Sequence, residues 1–195
     1  GPAVLRRRVV GPLGDYVRIR ADFPHHGFAW LSLNTYGGPQ GREGGWGFVA
    51  GLRFALAQDE ALAVTISRGN AGYTGFQVVD PWTLAADARN NLTSLNLAQA
   101  APDRDGNFTY VIARSDPGVS NWLDATGLNS GFAVIRWQAT PVGATKDGLI
   151  RSFKVIKLAD AAKLPGIART TPKQRQTQLA RRAAESNPLD PEALY

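Results

Sequence analysis

The segment from Arg114 to Gly127 gathers side chains that could contact a ligand. An aromatic ring beside amide and carboxylate groups is typical of sites for sugars and other small polar molecules, because the ring covers an apolar face while the polar groups fix hydroxyls. The same residue types also close loops through their own backbones, and a tryptophan can plug the end of a domain. Both interpretations stay open. The candidate residues here are Arg114, Asp116, Asn121, Trp122 and Asp124.

A second polar segment follows Asp80-Pro81, where Trp82 stands before a run of asparagines that includes Asn96. Arg136 lies in a predicted strand after the first segment. We predict that Trp82, Asn96 and Arg136 join the residues of the first segment in one ligand site, at the loop end that contains Trp82 and Trp122.

Three functions are compatible with this pattern. The first is a β-sandwich module that binds a small polar or carbohydrate-like ligand at the loop end. The second is a hydrolase or lyase in which Asp116 or Asp124 acts as acid or base and Arg114 or Arg136 stabilises negative charge. The third is a structural subunit, or a fragment of a larger two-domain protein, held to its partner through its basic ends.

Several kinds of chemistry are disfavoured by the composition and motifs. The chain has no cysteine, which excludes thiol catalysis, iron–sulfur clusters and cysteine-ligated zinc. His25 and His26 are the two histidines, and neighbours in an extended chain point to opposite faces, a poor arrangement for sharing a metal. The glycine-rich segment 37–45 lacks the phosphate-loop spacing and is predicted as a mobile loop between strands. We predict neither metal nor cofactor.

The net charge of +6 is distributed unevenly along the chain. Residues 1–20 and 146–182 sum to +4 and +8, whereas 21–145 and 183–195 sum to −3 each. A nucleic-acid groove needs cations among aromatics on the folded face, and here the aromatics lie mostly in the acidic middle. Nucleic acid is therefore disfavoured. The basic ends are predicted to be solvated, or to contact a second copy or a missing N-terminal domain.

Short runs rich in β-branched and aromatic residues, separated by turn-forming residues, predict an all-β fold. Because no helical period of ten or more residues separates the runs, a jelly-roll-like β-sandwich with a short C-terminal α-helix is favoured. Turns are predicted at 58–60, as a hairpin, and at 103–107, with one helical turn at 84–88. Strands are predicted near 16–21, 28–35, 45–56, 61–67, 75–79, 108–113, 132–139 and 152–158.

Three regions follow from this pattern. Residues 1–15 form a basic N-terminal extension, 16–160 the β-sandwich domain, and 161–195 a basic linker and helix. Thr171 is predicted to cap that helix and Pro172 to begin it. Its apolar face is thin, so we expect it to lie on the surface or against a partner.

The sequence Asp-Pro-Gly-Val-Ser-Asn-Trp-Leu-Asp at 116–124, followed by Gly127 and by Ile-Arg-Trp at 135–137, resembles the bacterial domain of unknown function family number twelve-fourteen. Shorter similar blocks stand at 59–62, 73–77, 80–82, 94–96 and 99–100, so the resemblance covers roughly 45–160. It implies a jelly-roll β-sandwich that is often the C-terminal half of a longer protein. The family brings no established reaction, and the resemblance implies no catalytic residue.

The composition, with arginine exceeding lysine and with abundant alanine and glycine, favours a bacterial origin. Two sequons, at 91–93 and 107–109, would then be chance matches. No run approaches the roughly 18 apolar residues of a membrane span, so we predict a soluble protein and no membrane partner. The compartment is left open.

Overall fold

The computed structural model of the chain describes residues 31–42 and 45–185. Nine β-strands, one 3-10 helix and one α-helix occupy this part of the chain. The elements are β1 (Thr35–Gly41), β2 (Gly47–Ala55), β3 (Glu60–Ile66), β4 (Tyr73–Val79), β5 (Ser94–Asn96), β6 (Phe108–Ala113), β7 (Trp122–Asp124), β8 (Ser130–Gln138), β9 (Ile150–Lys157), the 3-10 helix (Leu158–Lys163) and α1 (Pro172–Glu185).

The strands form two sheets. The larger sheet has the order β1-β2-β8-β4-β5, and the smaller sheet has the order β7-β6-β3-β9. All paired strands are antiparallel except β6 and β7, which run parallel. Because β5 and β7 are short strands at the edges of their sheets, the loops around them lie at the margin of the sandwich, where a site can open to solvent.

The core lies between the two sheets. Side chains alternate along each strand, so one face of each sheet is buried; on β2, for example, Leu52 and Phe54 are fully buried. The ring of Phe76 on β4 meets Tyr110 on β6 edge-on, with ring centroids 5.1 Å apart. The indole Nε1 of Trp137 donates to the carbonyl of Ser67 at 2.8 Å. The prediction of an all-β sandwich with a short C-terminal helix is confirmed, whereas the jelly-roll type stays a prediction.

Six of the eight predicted strands coincide with observed ones, namely β2, β3, β4, β6, β8 and β9. The segment 16–21 lies outside the described residues. So does most of the segment 28–35, whose described part forms a bend and a turn before β1 begins. The turn at 103–107 is also confirmed, since Asp103 Oδ1 accepts hydrogen bonds from the backbone amides of Asp105 and Asn107.

The glycine-rich segment was wrongly predicted as a mobile loop throughout. Residues up to Gly41 form the edge strand β1, which pairs with β2. A Cβ on Gly38 would lie 2.9 Å from the carbonyl oxygen of Val49, and Gly38 has φ +90°. Glycine here permits the close approach of two backbones. By composition alone, such a strand cannot be distinguished from a flexible glycine-rich linker.

Two further local predictions are wrong. The turn after Ala57 exists, with the amide of Glu60 donating to the carbonyl of Ala57 at 3.1 Å. It is not a hairpin turn, because it joins β2 of one sheet to β3 of the other. Residues 84–88 form no helical turn, because Asp80 accepts from the amide of Leu84 and Thr83 takes a left-handed φ of 66°.

The C-terminal helix begins as predicted. The amide of Gln174 donates to Thr171 Oγ1 at 3.3 Å, and the amide of Thr171 donates to Gln174 Oε1 at 2.8 Å. This reciprocal pair is a capping box, which satisfies two amides that the first helical turn leaves free. The helix does not project away from the domain, because Arg175 is buried and Leu179 packs against the core. The boundaries predicted at 15/16 and 160/161 stay predictions.

Candidate functional site

Asn121 and Trp122 bond to the backbone of their own domain. Asn121 is 2% exposed; its Nδ2 donates to the carbonyls of Ala101 and Thr109, and its Oδ1 accepts from the amide of Ala101. Trp122 Nε1 donates to the carbonyl of Ala113 at 3.1 Å. These bonds use the polar atoms of both side chains to tie the segment before β7 to its neighbours. Their geometry is that of a structural anchor.

Asp116 is paired with a cation from α1. Arg175 Nε lies 2.9 Å from Asp116 Oδ2, and Arg175 Nη2 lies 3.2 Å from Asp116 Oδ1. The same guanidinium donates to the carbonyl of Val119 and stands 5.1 Å from the ring centre of Trp122. The Arg175 side chain is 6% exposed and that of Asp116 is 34% exposed. The two-point contact fixes the helix in place and leaves Asp116 engaged.

The chain entering α1 adds a backbone connection to the same segment. The amide of Ser120 donates to the carbonyl of Ala168 at 2.8 Å, and the amide of Thr170 donates to the carbonyl of Gly118 at 2.9 Å. The hydroxyls of Ser120 and Thr170 lie 3.0 Å apart. The segment 116–122 is therefore a docking platform for the C-terminal helix, which we call the helix platform.

A second contact of α1 involves Arg182 and the strand β5. Arg182 Nη1 donates to the carbonyl of Ser94 at 2.9 Å and Nη2 donates to its hydroxyl at 2.8 Å. Its Nε donates to the carbonyl of Ala88. Partial burial lowers the pKa of Arg182 from its usual value. Asn96 lines the groove of about 340 Å³ beside this contact, and its Oδ1 accepts from the amides of Ala98 and Gln99.

Asp124, by contrast, lines an open cleft at the end of the sandwich. The cleft has a volume of about 200 Å³ and lies between the end of β4, the following loop, and the segment after β7. We call it the Asp124 cleft. Its described lining residues are Val78, Val79, Asp80, Leu84, Ala85, Ala86, Thr93, Asp124, Thr126 and Leu128.

The polar groups of the Asp124 cleft are only partly used by the fold. Asp80 Oδ1 accepts from the amides of Trp82 and Leu84, both at 2.8 Å. Asp124 Oδ1 accepts from the amide of Thr126 at 2.7 Å. Thr93 is 1% exposed, and its hydroxyl has no hydrogen-bond partner among the described residues. The hydroxyls of Thr74 and Tyr110 are also buried without a partner among the described residues, but Thr93 is the one of the three that lines this cleft.

The carboxyl of Asp124 has an altered acidity. Burial raises the pKa of Asp124 above its usual value of 3.8, and the charge of Asp116 acts in the same direction. The amide of Thr126 and the charge of Arg175 oppose the rise. Desolvation is the largest of these effects, so the surrounding charges and hydrogen bonds do not fully compensate the ionised carboxyl for its lost hydration. Such a group favours a ligand that donates protons or carries positive charge.

The remaining predicted residues do not line this cleft. Trp82 lies in the adjoining loop and makes contacts there. Arg136 alternates along β8 with the buried Ile135 and Trp137, so its side chain lies on the opposite face of the sheet. Arg114 is partly buried, and its Nε has no hydrogen-bond partner among the described residues. The structure therefore brings Asp124 and the loop of Trp82 to one end of the sandwich. The other predicted site residues do not line the Asp124 cleft.

Sequence reasoning missed three residues that matter here. Thr93 and Asp80 line the cleft, and Arg175 holds the helix. Asp80 was visible as the partner of Trp82 in an Asp-Pro-Trp loop and could have been included. Neither Thr93 nor Arg175 carried a signal, because a threonine in a sequon and an arginine in a basic helix are both ordinary surface patterns.

The described residues contain no cluster of three or more histidine, aspartate or glutamate side chains fit to hold a metal ion. Within the same ranges, no helix is long and apolar enough to cross a membrane.

No family model matches the chain. No curated protein matches it either. Among solved structures, the chain is similar to an uncharacterized protein from Burkholderia cenocepacia, with 25% sequence identity and a TM-score of 0.58. That match covers 74% of this chain and 39% of the Burkholderia protein. A protein from Vibrio parahaemolyticus has 14% identity and a TM-score of 0.42, over 52% of this chain and 27% of its own. The fold is shared with the Burkholderia protein, of which this chain spans well under two thirds.

Proposed function

We propose that the chain is a β-sandwich domain that binds a small polar ligand in the Asp124 cleft. The observation that carries the proposal is that a partly buried carboxylate with a raised pKa and a buried hydroxyl that lacks a partner line one open cleft. The fold leaves hydrogen-bonding capacity unused on both groups, because Asp124 accepts one amide bond, from Thr126, and the hydroxyl of Thr93 has no partner among the described residues. A ligand that bonds to both would supply what the fold leaves unsatisfied.

The dimensions of the cleft favour a small ligand. About 200 Å³ is below the roughly 300–1,000 Å³ typical of sites for drug-sized molecules. A ligand of a few non-hydrogen atoms fits, whereas an oligosaccharide would have to extend into solvent. This narrows the expectation of a carbohydrate-like ligand to one monosaccharide-sized group or smaller.

The enzymatic alternative has less support from the geometry. It requires a carboxylate and an arginine facing one cavity, and no described arginine lines the Asp124 cleft. Asp116 is engaged by Arg175. The raised pKa of Asp124 suits a general base, but without a second positioned group binding is the better-supported function.

The structural alternative applies to the helix platform and does not compete with ligand binding at the cleft. Asp116 and Trp122 contact Arg175 of α1, and Asn121 ties the same segment to the backbone of Ala101 and Thr109, which supports a structural role for that segment. We also propose that the chain is a member of the bacterial family number twelve-fourteen. The greater length of the Burkholderia protein is compatible with that family's usual two-domain arrangement.

A thermal-shift screen tests the binding proposal. The panel contains monosaccharides, small alcohols, amines, carboxylates, phosphate esters and divalent metal salts. A ligand at a hundred times its dissociation constant adds about 2.7 kcal/mol to the stability of the folded state. For a domain of this size, that corresponds to a rise in melting temperature of roughly 5–10 °C.

The variants Asp124→Asn and Thr93→Val keep side-chain shape while removing the charge and the hydroxyl. Asp105→Asn is the matched control, because Asp105 is exposed and does not line the cleft. We expect one chemical class to stabilise the wild type and the control more than either cleft variant, with the smallest effect in Asp124→Asn. Equal stabilisation of the wild type and both cleft variants, or no stabilisation by any class, would contradict the proposal.

A further inference from the structure

We propose that the ligand of the Asp124 cleft is a small organic cation, a primary ammonium group carried on a short apolar chain. This inference rests on the proposed binding function and specifies its chemical class. Three features of the cleft support an ammonium ligand, namely its charges, its free hydrogen-bonding capacity and its apolar walls.

The charged residues that line the cleft are both acidic. Asp80 and Asp124 face it, and no described lysine, arginine or histidine does. In each carboxylate, Oδ1 is bonded to backbone amides of its own loop, and no hydrogen bond to Oδ2 is formed by a described residue. Two acceptor oxygens with no cation among the lining residues create a negative potential, which attracts a positively charged ligand.

The hydroxyl of Thr93 provides an observation independent of the carboxylates. Thr93 is buried, lines the cleft and lacks a hydrogen-bond partner among the described residues. A threonine hydroxyl accepts as well as donates. An ammonium group has three donors, so it has the capacity to bond to a carboxylate and to a hydroxyl together.

The rest of the cleft is apolar and suits a short hydrocarbon chain. One end of the ligand would meet aliphatic side chains and the other end the carboxylates, which is the usual division in small-molecule sites. The lining aliphatic residues are Val78, Leu84, Ala85, Ala86 and Leu128.

A neutral ligand or a metal ion fits these observations less well. An alcohol would displace water from Asp124 without supplying a countercharge, and burying an uncompensated carboxylate is costly. Ca²⁺ takes 6–8 oxygen ligands, and the described residues hold no cluster that fits a metal. An ammonium group compensates the charge and needs only a few acceptors.

The titratable groups near Asp124 give the expected pH dependence. Asp116 and Arg175 act on it with opposite signs, and Asp80 lines the same cleft. Burial raises the pKa of Asp124, and the carboxyl carries its charge only above that pKa. Affinity for an ammonium ligand should therefore increase as the pH rises through that pKa and then level off.

The probes are n-butylammonium, n-butanol and n-butyrate, which share a chain and differ in the charge of the head group, with CaCl₂ as a metal probe. Binding is measured at pH 7 on the full chain by titration of ¹⁵N amide resonances. We expect n-butylammonium to bind at least tenfold more tightly than n-butanol, and n-butyrate not to bind. Asp124→Asn should weaken n-butylammonium at least tenfold, Thr93→Val should weaken it less, and Asp105→Asn should leave it unchanged.

Binding of n-butanol, n-butyrate or Ca²⁺ that is tighter than binding of n-butylammonium, and that is lost in Asp124→Asn, would overturn the proposed ammonium ligand and leave the proposed binding function standing. Undiminished binding of n-butylammonium to Asp124→Asn would overturn it as well. Failure of every probe here and of every class in the thermal-shift screen would overturn both proposals. The melting temperature of each unliganded variant shows whether it is folded, and Thr93→Val provides an uncharged substitution in the same cleft.

Discussion

Replacing Arg175 with alanine should weaken the attachment of the C-terminal helix to the sandwich. The guanidinium makes a two-point contact with Asp116, donates to the carbonyl of Val119 and stands 5.1 Å from the ring centre of Trp122. No other residue in the described part of α1 is buried. Loss of Arg175 removes this buried contact and leaves the bonds of Arg182, the packing of Leu179 and the backbone bonds that precede the helix.

The magnitude follows from these contacts. Hydrogen bonds to charged groups contribute about 1.5–3 kcal/mol, and a cation near a buried aromatic ring about 1–2 kcal/mol. The side chain of Asp116 is 34% exposed, so it regains water when its partner is lost, and the cost stays below the 3–5 kcal/mol typical of a fully buried pair. We expect a loss of about 2–4 kcal/mol, or a fall in melting temperature of roughly 4–16 °C.

Urea unfolding followed by tryptophan fluorescence measures this loss, because Trp122 lies beside the guanidinium. Arg181→Ala is the matched control, since Arg181 is on the same helix and pairs with Glu185 at the surface, with side chains 80% and 52% exposed. Exposed pairs contribute little to stability. If Arg175→Ala lowers the free energy of unfolding by no more than Arg181→Ala does, the contacts of Arg175 do not hold the helix in the way that we infer.

Three further predictions concern single side chains. Asn121→Ala should cost about 3 kcal/mol in urea unfolding, because three bonds to backbone groups are lost at a buried site; a cost equal to that of Asn96→Ala at the surface would contradict this. Thr171→Ala should cost about 1 kcal/mol through loss of the helix cap, and an unchanged unfolding midpoint would count against a capping role. Asp124→Asn should be more stable than the wild type at pH 7. Because the folded pKa of Asp124 is raised, the wild type loses stability as the pH rises from 3.8 through that pKa. The stability advantage of the variant should vanish below pH 3.8. A difference in unfolding free energy between the two proteins that stays constant across pH would refute this prediction.

The fold class followed from the sequence because its signal is local. Alternating apolar residues and turn formers recur along β2, β3, β4, β6, β8 and β9, and these strands were predicted. The short strands β5 and β7 were missed because three residues carry too little pattern. The edge strand β1 was missed because its glycines serve close contact between backbones, a purpose that composition does not distinguish from flexibility.

The candidate site was predictable only in part. The sequence predicted a ligand site in 114–127, and within that segment Asp116, Asn121 and Trp122 are engaged by the fold itself. Polar residues that anchor a loop and polar residues that bind a ligand look alike in one dimension. Only the three-dimensional structure distinguishes Asp124, which faces an open cleft, from its engaged neighbours.

Arg175 illustrates why the remainder could not be predicted. The charge count assigned the cations of 146–182 to solvent or to a partner, but Arg175 is buried and Arg182 is partly buried against the same chain. Which arginine of a basic helix turns inward depends on where a carboxylate and a carbonyl lie after folding. That information is non-local, because Asp116 is 59 residues away along the chain.

Titration of the ¹⁵N-labelled wild-type chain and its Asp124→Asn variant with the strongest probe from the screen shows whether the Asp124 cleft binds a small ligand. We expect saturable shifts of the amide resonances from Val78 to Ala86, of Thr93, and from Asp124 to Leu128, all lost in the variant. Saturable shifts confined to the groove beside α1, or shifts that persist unchanged in Asp124→Asn, would contradict this expectation.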